Sequence, residues 1–146
     1  MTTPFLRADL RQDEGLRLEA YPDPLSGAEP WTIGYGHTGP EVHRGLVWTE
    51  AQASDALAKD IATACRVLDR AAPWWRELND PRQDVLAEMA FNLGWPRLSE
   101  FHRFLAAAEA GRWQQARDEM LDSAWAREVG TRAQRLATQM LSGERA

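Results

Sequence analysis

One stretch of this 146-residue chain carries a strand-like pattern, and the rest of the chain has to be arranged around it. Residues 16–21, L-R-L-E-A-Y, alternate apolar and polar side chains as a half-buried strand does. Residues 22–30 hold three prolines and a glycine, which suits a long hairpin loop better than a tight turn. Residues 31–37, W-T-I-G-Y-G-H, read as the returning strand, with Gly34 and Gly36 inside it. Glycine weakens a strand, so its presence here points to close approach by a ligand or another backbone.

Everything else reads as helix. Thr3 and Pro4 fit the N-cap and first position of a helix with Phe5, Leu6 and Leu10 on its apolar side, stopped at Gly15. A connector follows over 38–48. T-E-A-Q at 49–52 is a capping box, and Ala53, Leu57, Ile61, Ala64 and Leu68 then recur at helical spacing until A-A-P at 71–73. About twenty helical residues span on the order of 30 Å, enough to bridge two lobes. A short turn is expected over 74–78. Asp80 and Pro81 open a helix with Val85, Leu86, Met89, Ala90 and Leu93 inside, closed at Gly94. Ser99 caps another with Phe101, Phe104, Leu105 and Ala108, closed at Gly111. Helix over 113–121, a short piece around Trp125, and a last helix capped by Thr131 complete the chain. That last helix carries Ala133, Leu136, Ala137 and Met140 and ends at Gly143. The expected fold is α+β and mostly helical, one domain over 1–146. A small β-hairpin lobe spans about 12–48, a connecting helix about 50–70, and a helical lobe about 73–143 together with the N-terminal helix. Trp74, Trp75, Trp113 and Trp125 are expected in the core of the helical lobe. Trp31, Trp95 and Tyr35 fit either core or ligand-facing roles.

The net charge of −5, with acids and bases interspersed, argues against an electrostatic nucleic-acid binder and gives no general attraction to an anionic wall or membrane. Cys65 is the single cysteine, so no intramolecular disulfide forms, and it reads as a small buried hydrophobe. M-T-T-P-F-L-R-A-D-L-R has charges every few residues and is neither a secretory signal nor a membrane span. Synthesis and folding in the cytoplasm are therefore expected, and a substrate outside would require something else to let the protein through. His37 and His43 lack zinc-like spacing and no H-E-x-x-H occurs, so no metal and no cofactor are expected.

Glu14 stands where the first helix should end. There the negative end of the helix dipole disfavours a carboxylate and favours the protonated form that a general acid needs. Asp23 lies nine positions on, across one short strand. A strand that leaves a helix and returns through a hairpin can bring both to one cleft, and glycoside hydrolysis usually takes two carboxyl groups flanking the scissile bond. The Thr32 hydroxyl can hold a water opposite the sugar. Plainer readings stand beside these: Glu14 as a solvated helix end, Asp23 between two prolines as a turn former, Thr32 as an ordinary strand residue.

E-G-L-R-L-x-A-Y-x-D followed by W-T-I-G-Y-G-H-T-G resembles the phage-type lysozymes, the endolysin muramidases that cut bacterial peptidoglycan. The likeness continues more loosely through T-E-A-Q, A-F-N-L-G at 90–94 and T-R-A-Q-R at 131–135. It implies a lysozyme-like two-lobed fold. It also implies cleavage of the β-1,4 bond between N-acetylmuramic acid and N-acetylglucosamine by single displacement with inversion. Glu14 becomes the proton donor, Asp23 the second carboxylate and Thr32 the residue that orients the attacking water. The resemblance makes His37 structural, paired with Asp60 on the long helix. It has Arg132 reach Glu14 and Trp95 line the cleft, with Trp31 and Tyr35 as further glycan-binding candidates. Peptidoglycan glycan strands would be the partner of a monomer that binds no nucleic acid and does not insert into membranes. It would leave the host cytoplasm through a separate membrane pore. Two departures stand out: P-L-S-G-A-E-P enlarges the loop between Asp23 and Thr32 at the cleft mouth, and the chain is acidic where well-known lysozymes are basic. The competing expectations are a non-catalytic wall-binding module on this scaffold, a bacterial autolysin or antibacterial effector with the same chemistry, and a transglycosylase that leaves an anhydro sugar.

Overall fold

The computed structural model describes residues 3–24 and 26–146. Met1 and Thr2, at the start of the N-terminal stretch, and Leu25, inside the expected loop, lie outside the described residues. The fold is α+β and mostly helical, as expected: helix α1 (Pro4–Glu14), strands β1 (Arg17–Tyr21), β2 (Thr32–Gly34) and β3 (His37–Thr38), then helix α2 (Glu50–Ala71) and further helices. The chain forms two compact units, Met1–Thr63 and Ala64–Ala146, with the division falling inside α2.

In the first unit α1 begins and ends as its sequence dictates. Thr3 Oγ1 accepts from the Leu6 N–H at 3.1 Å, and Gly15, at φ 71°, returns its N–H to the Arg11 carbonyl. Leu6 and Leu10, one turn apart, are buried. Phe5 points about 100° away from Leu6 and is 56% exposed, so the apolar side is narrower than expected. The sheet is antiparallel in the order β1-β2-β3. The expected single strand over 31–37 is instead a tight hairpin. Gly34 and Gly36 sit at φ 68° and 76°, the chain reverses, and β3 pairs back on β2 with Ile33 opposite His37.

β1 is irregular as well. Arg17 lies opposite Gly34 and Tyr21 opposite Thr32, so four residue steps on β1 match two on β2. The alternation does not survive that slip: Leu18 is 39% exposed, and Ala20 alone in the strand is buried. On the other edge of β1, the Ala20 N–H bonds the Leu46 carbonyl and the Trp48 N–H bonds the Leu18 carbonyl, at 2.9 and 2.8 Å. The end of the expected connector thus runs as a further partner, with Glu19 opposite Val47. Ala20, Ile33 and Val42 form the small core here, covered by Trp31, Leu46 and Trp48. The capping box of α2 is made as read: Thr49 N–H to Gln52 Oε1 at 2.8 Å and Gln52 N–H to Thr49 Oγ1 at 3.2 Å.

The second unit holds a 3₁₀ turn (Pro73–Glu77) and helices α3 (Asp80–Leu93), α4 (Trp95–Leu98), α5 (His102–Ala110), α6 (Trp113–Leu121), α7 (Ala124–Val129) and α8 (Thr131–Ser142). Caps differ from expectation at three places. Asn79 rather than Asp80 caps α3, and Gly130 stands at the cap of α8. The Ser99 hydroxyl donates to the Pro96 carbonyl and closes α4, so α5 starts after Phe101 without a side-chain cap. Trp75 and Trp125 are buried; Trp74 and Trp113 are only half-buried, which corrects the expectation of four core tryptophans. Adjacent residues of a 3₁₀ turn point about 120° apart, so burying Trp75 turns Trp74 outward. Trp113 begins α6 with the Arg82 guanidinium 3.8 Å from its ring centroid. The buried thiol of Cys65 is pushed upward by its burial, as befits an inert core cysteine.

Polar bonds between α3 and α8 run through this unit. Glu88 is 1% exposed, and its Oε2 accepts from Arg132 Nε and Arg135 Nη2, each at 2.9 Å. Four residues earlier, buried Asp84 accepts from Arg145 at 2.5 Å. Gln139 donates to the Pro81 carbonyl, while Arg82 and Asn79 donate to the carbonyls of Met140, Leu141 and Gly143 at the end of α8. Glu88→Ala leaves two arginines beside an uncompensated void and should destabilise the protein by about 3–5 kcal/mol. The expected readout is a lowered urea midpoint, with a smaller loss for Glu88→Gln, which keeps an acceptor.

Candidate active site

Glu14 is the last residue of α1, and the β2–β3 turn is shaped around it. A Cβ added at Gly36 would stand 2.5 Å from Glu14 Oε1 and 3.3 Å from its Cδ. The other carboxylate oxygen is shielded from solvent. At Gly34 a Cβ would meet the Trp48 ring at 3.0 Å and the Ala53 Cβ at 3.3 Å. The space left by both glycines is therefore filled by side chains, not by a neighbouring backbone.

Asp23 lies two residues past the end of β1 and is built into the loop. Its Oδ2 accepts from the Ser26 N–H at 3.1 Å, its own N–H donates to the Ala28 carbonyl at 3.0 Å, and its carbonyl accepts from the Gly27 N–H at 2.7 Å. The turn-forming reading of Asp23 is thus realised, while Oδ1 takes no hydrogen bond from the described residues. Thr32 lies in β2 between Tyr21 and Thr38, half-buried, and its hydroxyl has no hydrogen-bond partner among the described residues. Tyr21, the β1 residue opposite Thr32, is two residues before Asp23, which itself bonds within its own loop. Two of the candidate glycan-binding rings also have packing duties in this unit. Trp31 covers the Ala20, Ile33 and Val42 cluster, and the Arg11 guanidinium lies 5.9 Å from the Tyr35 ring centroid. In the second unit Trp95 opens α4, half-buried, and Arg132 is held by Glu88.

His37 joins three segments. Nδ1 lies 2.7 Å from Asp60 Oδ2 on α2, Nε2 lies 2.9 Å from Glu41 Oε1, and the Trp48 ring sits beside the imidazole with centroids 5.4 Å apart. A neutral imidazole has one N–H, so both carboxylates are satisfied together only by the imidazolium. Burial alone would lower the His37 pKa, but the hydrogen bonds and charges of Asp60 and Glu41 outweigh it and hold it above the ordinary 6.5. Three residues with roles here escape the sequence reading: Glu41, Glu88 and Ser26. Of these, Glu88 alone leaves a trace, a charge inside the apolar run L-A-E-M-A. Among the described residues no three His, Cys, Asp or Glu side chains are grouped to hold a metal ion, and no helix is long and apolar enough to cross a membrane.

Gly36→Ala forces a side chain into a left-handed position and onto the Glu14 carboxylate. It should destabilise by about 1–3 kcal/mol, measured by chemical denaturation. For His37 the folded value is raised, so its contribution to stability is complete below 6.5 and fades as pH rises through the folded value. The melting-temperature gap between wild type and His37→Asn should therefore be widest in mild acid and narrow steadily above about pH 6.5.

The family model described as "Phage lysozyme" matches residues 11–140. The pre-baseplate central spike protein Gp5 of Enterobacteria phage T4 is 31% identical over 159 aligned positions, which cover 92% of this chain and 27% of that protein. The endolysin of Bacillus phage PZA is 31% identical, covering 73% of this chain and 44% of its own length. The endolysin of Acyrthosiphon pisum secondary endosymbiont phage 1 is 35% identical, covering 58% of this chain and 54% of its own length. The chain thus spans between about a quarter and about half of these relatives. A match across nearly the whole chain, on top of the helix-end glutamate and the glycine-bearing hairpin, makes this protein a member of the phage lysozyme family.

Proposed function

We propose that the protein is a muramidase that hydrolyses the β-1,4 bond between N-acetylmuramic acid and N-acetylglucosamine in peptidoglycan, for bacterial cell lysis. The observation that carries this reading is the Glu14 carboxylate seated against Gly36 in the β2–β3 turn, with Thr32 in β2 opposite Tyr21 and Asp23 two residues beyond Tyr21. Family membership and the endolysin names of relatives support it. Glu14 gives its proton to the glycosidic oxygen as the bond to C1 breaks. Water held by the Thr32 hydroxyl adds to C1 from the opposite face, with Asp23 as the base or charge partner, so the anomeric configuration inverts. Trp31, Tyr35, Trp95 and Arg132 are assigned to glycan binding, and His37 with Asp60 to support of the sheet. No metal or cofactor enters this scheme.

On this reading the chain works as one monomeric lysozyme-like domain on glycan strands and reaches the wall from the host cytoplasm through a separate membrane pore. The spike relative, of which the chain matches 27%, favours a second setting for the same chemistry: a wall-cutting module of a larger particle. Glu14→Gln should lower release of reducing ends from purified peptidoglycan by about 10²–10⁴-fold with the fold retained, as loss of a general acid does. Turbidity clearing by that variant at the wild-type rate would overturn the assignment, and wild-type products ending in an anhydro sugar would select a transglycosylase instead.

A further inference from the structure

We infer that Ser26, in the enlarged loop, is a positioning residue that fixes the Asp23 carboxylate so that Oδ2 is held by the loop and Oδ1 is presented outward. This rests on the reading of Asp23 as the second carboxylate of a glycoside hydrolase. The loop bonds converge on that one residue. The Asp23 N–H and carbonyl pair with Ala28 and Gly27 at 3.0 and 2.7 Å, while Asp23 Oδ2 takes the Ser26 N–H at 3.1 Å. The Ser26 hydroxyl in turn donates to the Glu29 carbonyl at 3.1 Å and accepts from the Ala28 N–H at 3.2 Å. It therefore pins the segment that carries its own N–H.

The physical gain is orientation. An aspartate has two freely turning side-chain bonds, and a solvent-exposed one samples several rotamers that present either oxygen. A base or charge partner acts only within a narrow range of distance and angle, and small misplacements slow reactions steeply. The residues that enlarge the loop supply, from backbone and one hydroxyl, a restraint on this half-buried carboxylate. Because Ser26 and its bonds are exposed, removing the hydroxyl leaves global stability nearly unchanged, and the loss falls on the rate.

The test compares Ser26→Ala, Ser26→Thr, Asp23→Ala and the double variant Ser26→Ala with Asp23→Ala on a soluble peptidoglycan oligosaccharide. Ser26→Ala should lower kcat by about 3–30-fold with KM within about twofold and an unchanged melting temperature, and Ser26→Thr, which keeps the hydroxyl, should restore kcat. In the Asp23→Ala background the serine change should have no further effect, since its action runs through the missing carboxylate. A wild-type kcat for Ser26→Ala, no rescue by Ser26→Thr, or an equal slowing in both backgrounds overturns the inference while leaving the functional reading intact. Full activity of Asp23→Ala alone overturns the role given to Asp23, and the inference with it.

Discussion

The Glu14 carboxylate and the backbone at Gly36 compete for one volume, and the first unit is arranged so that both fit. A residue with a Cβ at position 36 would have to displace either the acid or the β2–β3 turn. The same glycine also adopts the left-handed conformation through which the chain reverses, so one missing side chain serves two geometric demands. Gly15 turns the chain out of α1 into β1, and His37 ties β3 to α2 through Asp60. Backbone geometry at Gly15 and Gly36 thus leaves the room in which the Glu14 carboxylate sits.

The second unit relies on a different device. Three buried polar residues, Asp84, Glu88 and Gln139, find partners there: Glu88 and Gln139 between α3 and α8, and Asp84 with Arg145 just past α8. A buried ion pair is seldom more stable than apolar residues of the same shape, but breaking one half of it is severe. Its value lies in specificity: two arginines on one carboxylate oxygen admit a single rotation of α8 about its axis. Arg132 is oriented by that constraint. The carbonyl end of α8, which would otherwise be unsatisfied, is closed by donors at the start of α3.

What could be read from the sequence followed the range of the interactions involved. Thr3, Pro4, Gly15 and the T-E-A-Q box announce helix ends because a cap bond spans only three or four residues. The broken returning strand was hidden because a glycine inside a strand and a glycine reversing one are the same letter. Leu18 misled because a register slip, invisible in one strand alone, rotates side chains out of the alternating pattern. Glu88 escaped because its partners lie 44 and 47 residues away. Glu14 and Asp23 stand out in the sequence as two acids separated by one strand, and the pairing of His37 with Asp60 comes from family likeness, not from spacing. Ser26 was not legible, since its contribution depends on how the loop folds back on Asp23.

The long reach of the α3–α8 bonds bears on how the chain is made. Translation delivers α3 well before α8, so Asp84 and Glu88 exist for a time as acids without the arginines that later neutralise them. An emerging α3 that buried them early would carry uncompensated charge into an apolar setting, which is strongly opposed. The bonds that satisfy Asp84 and Glu88 can form only once the chain as far as Arg145 has been made.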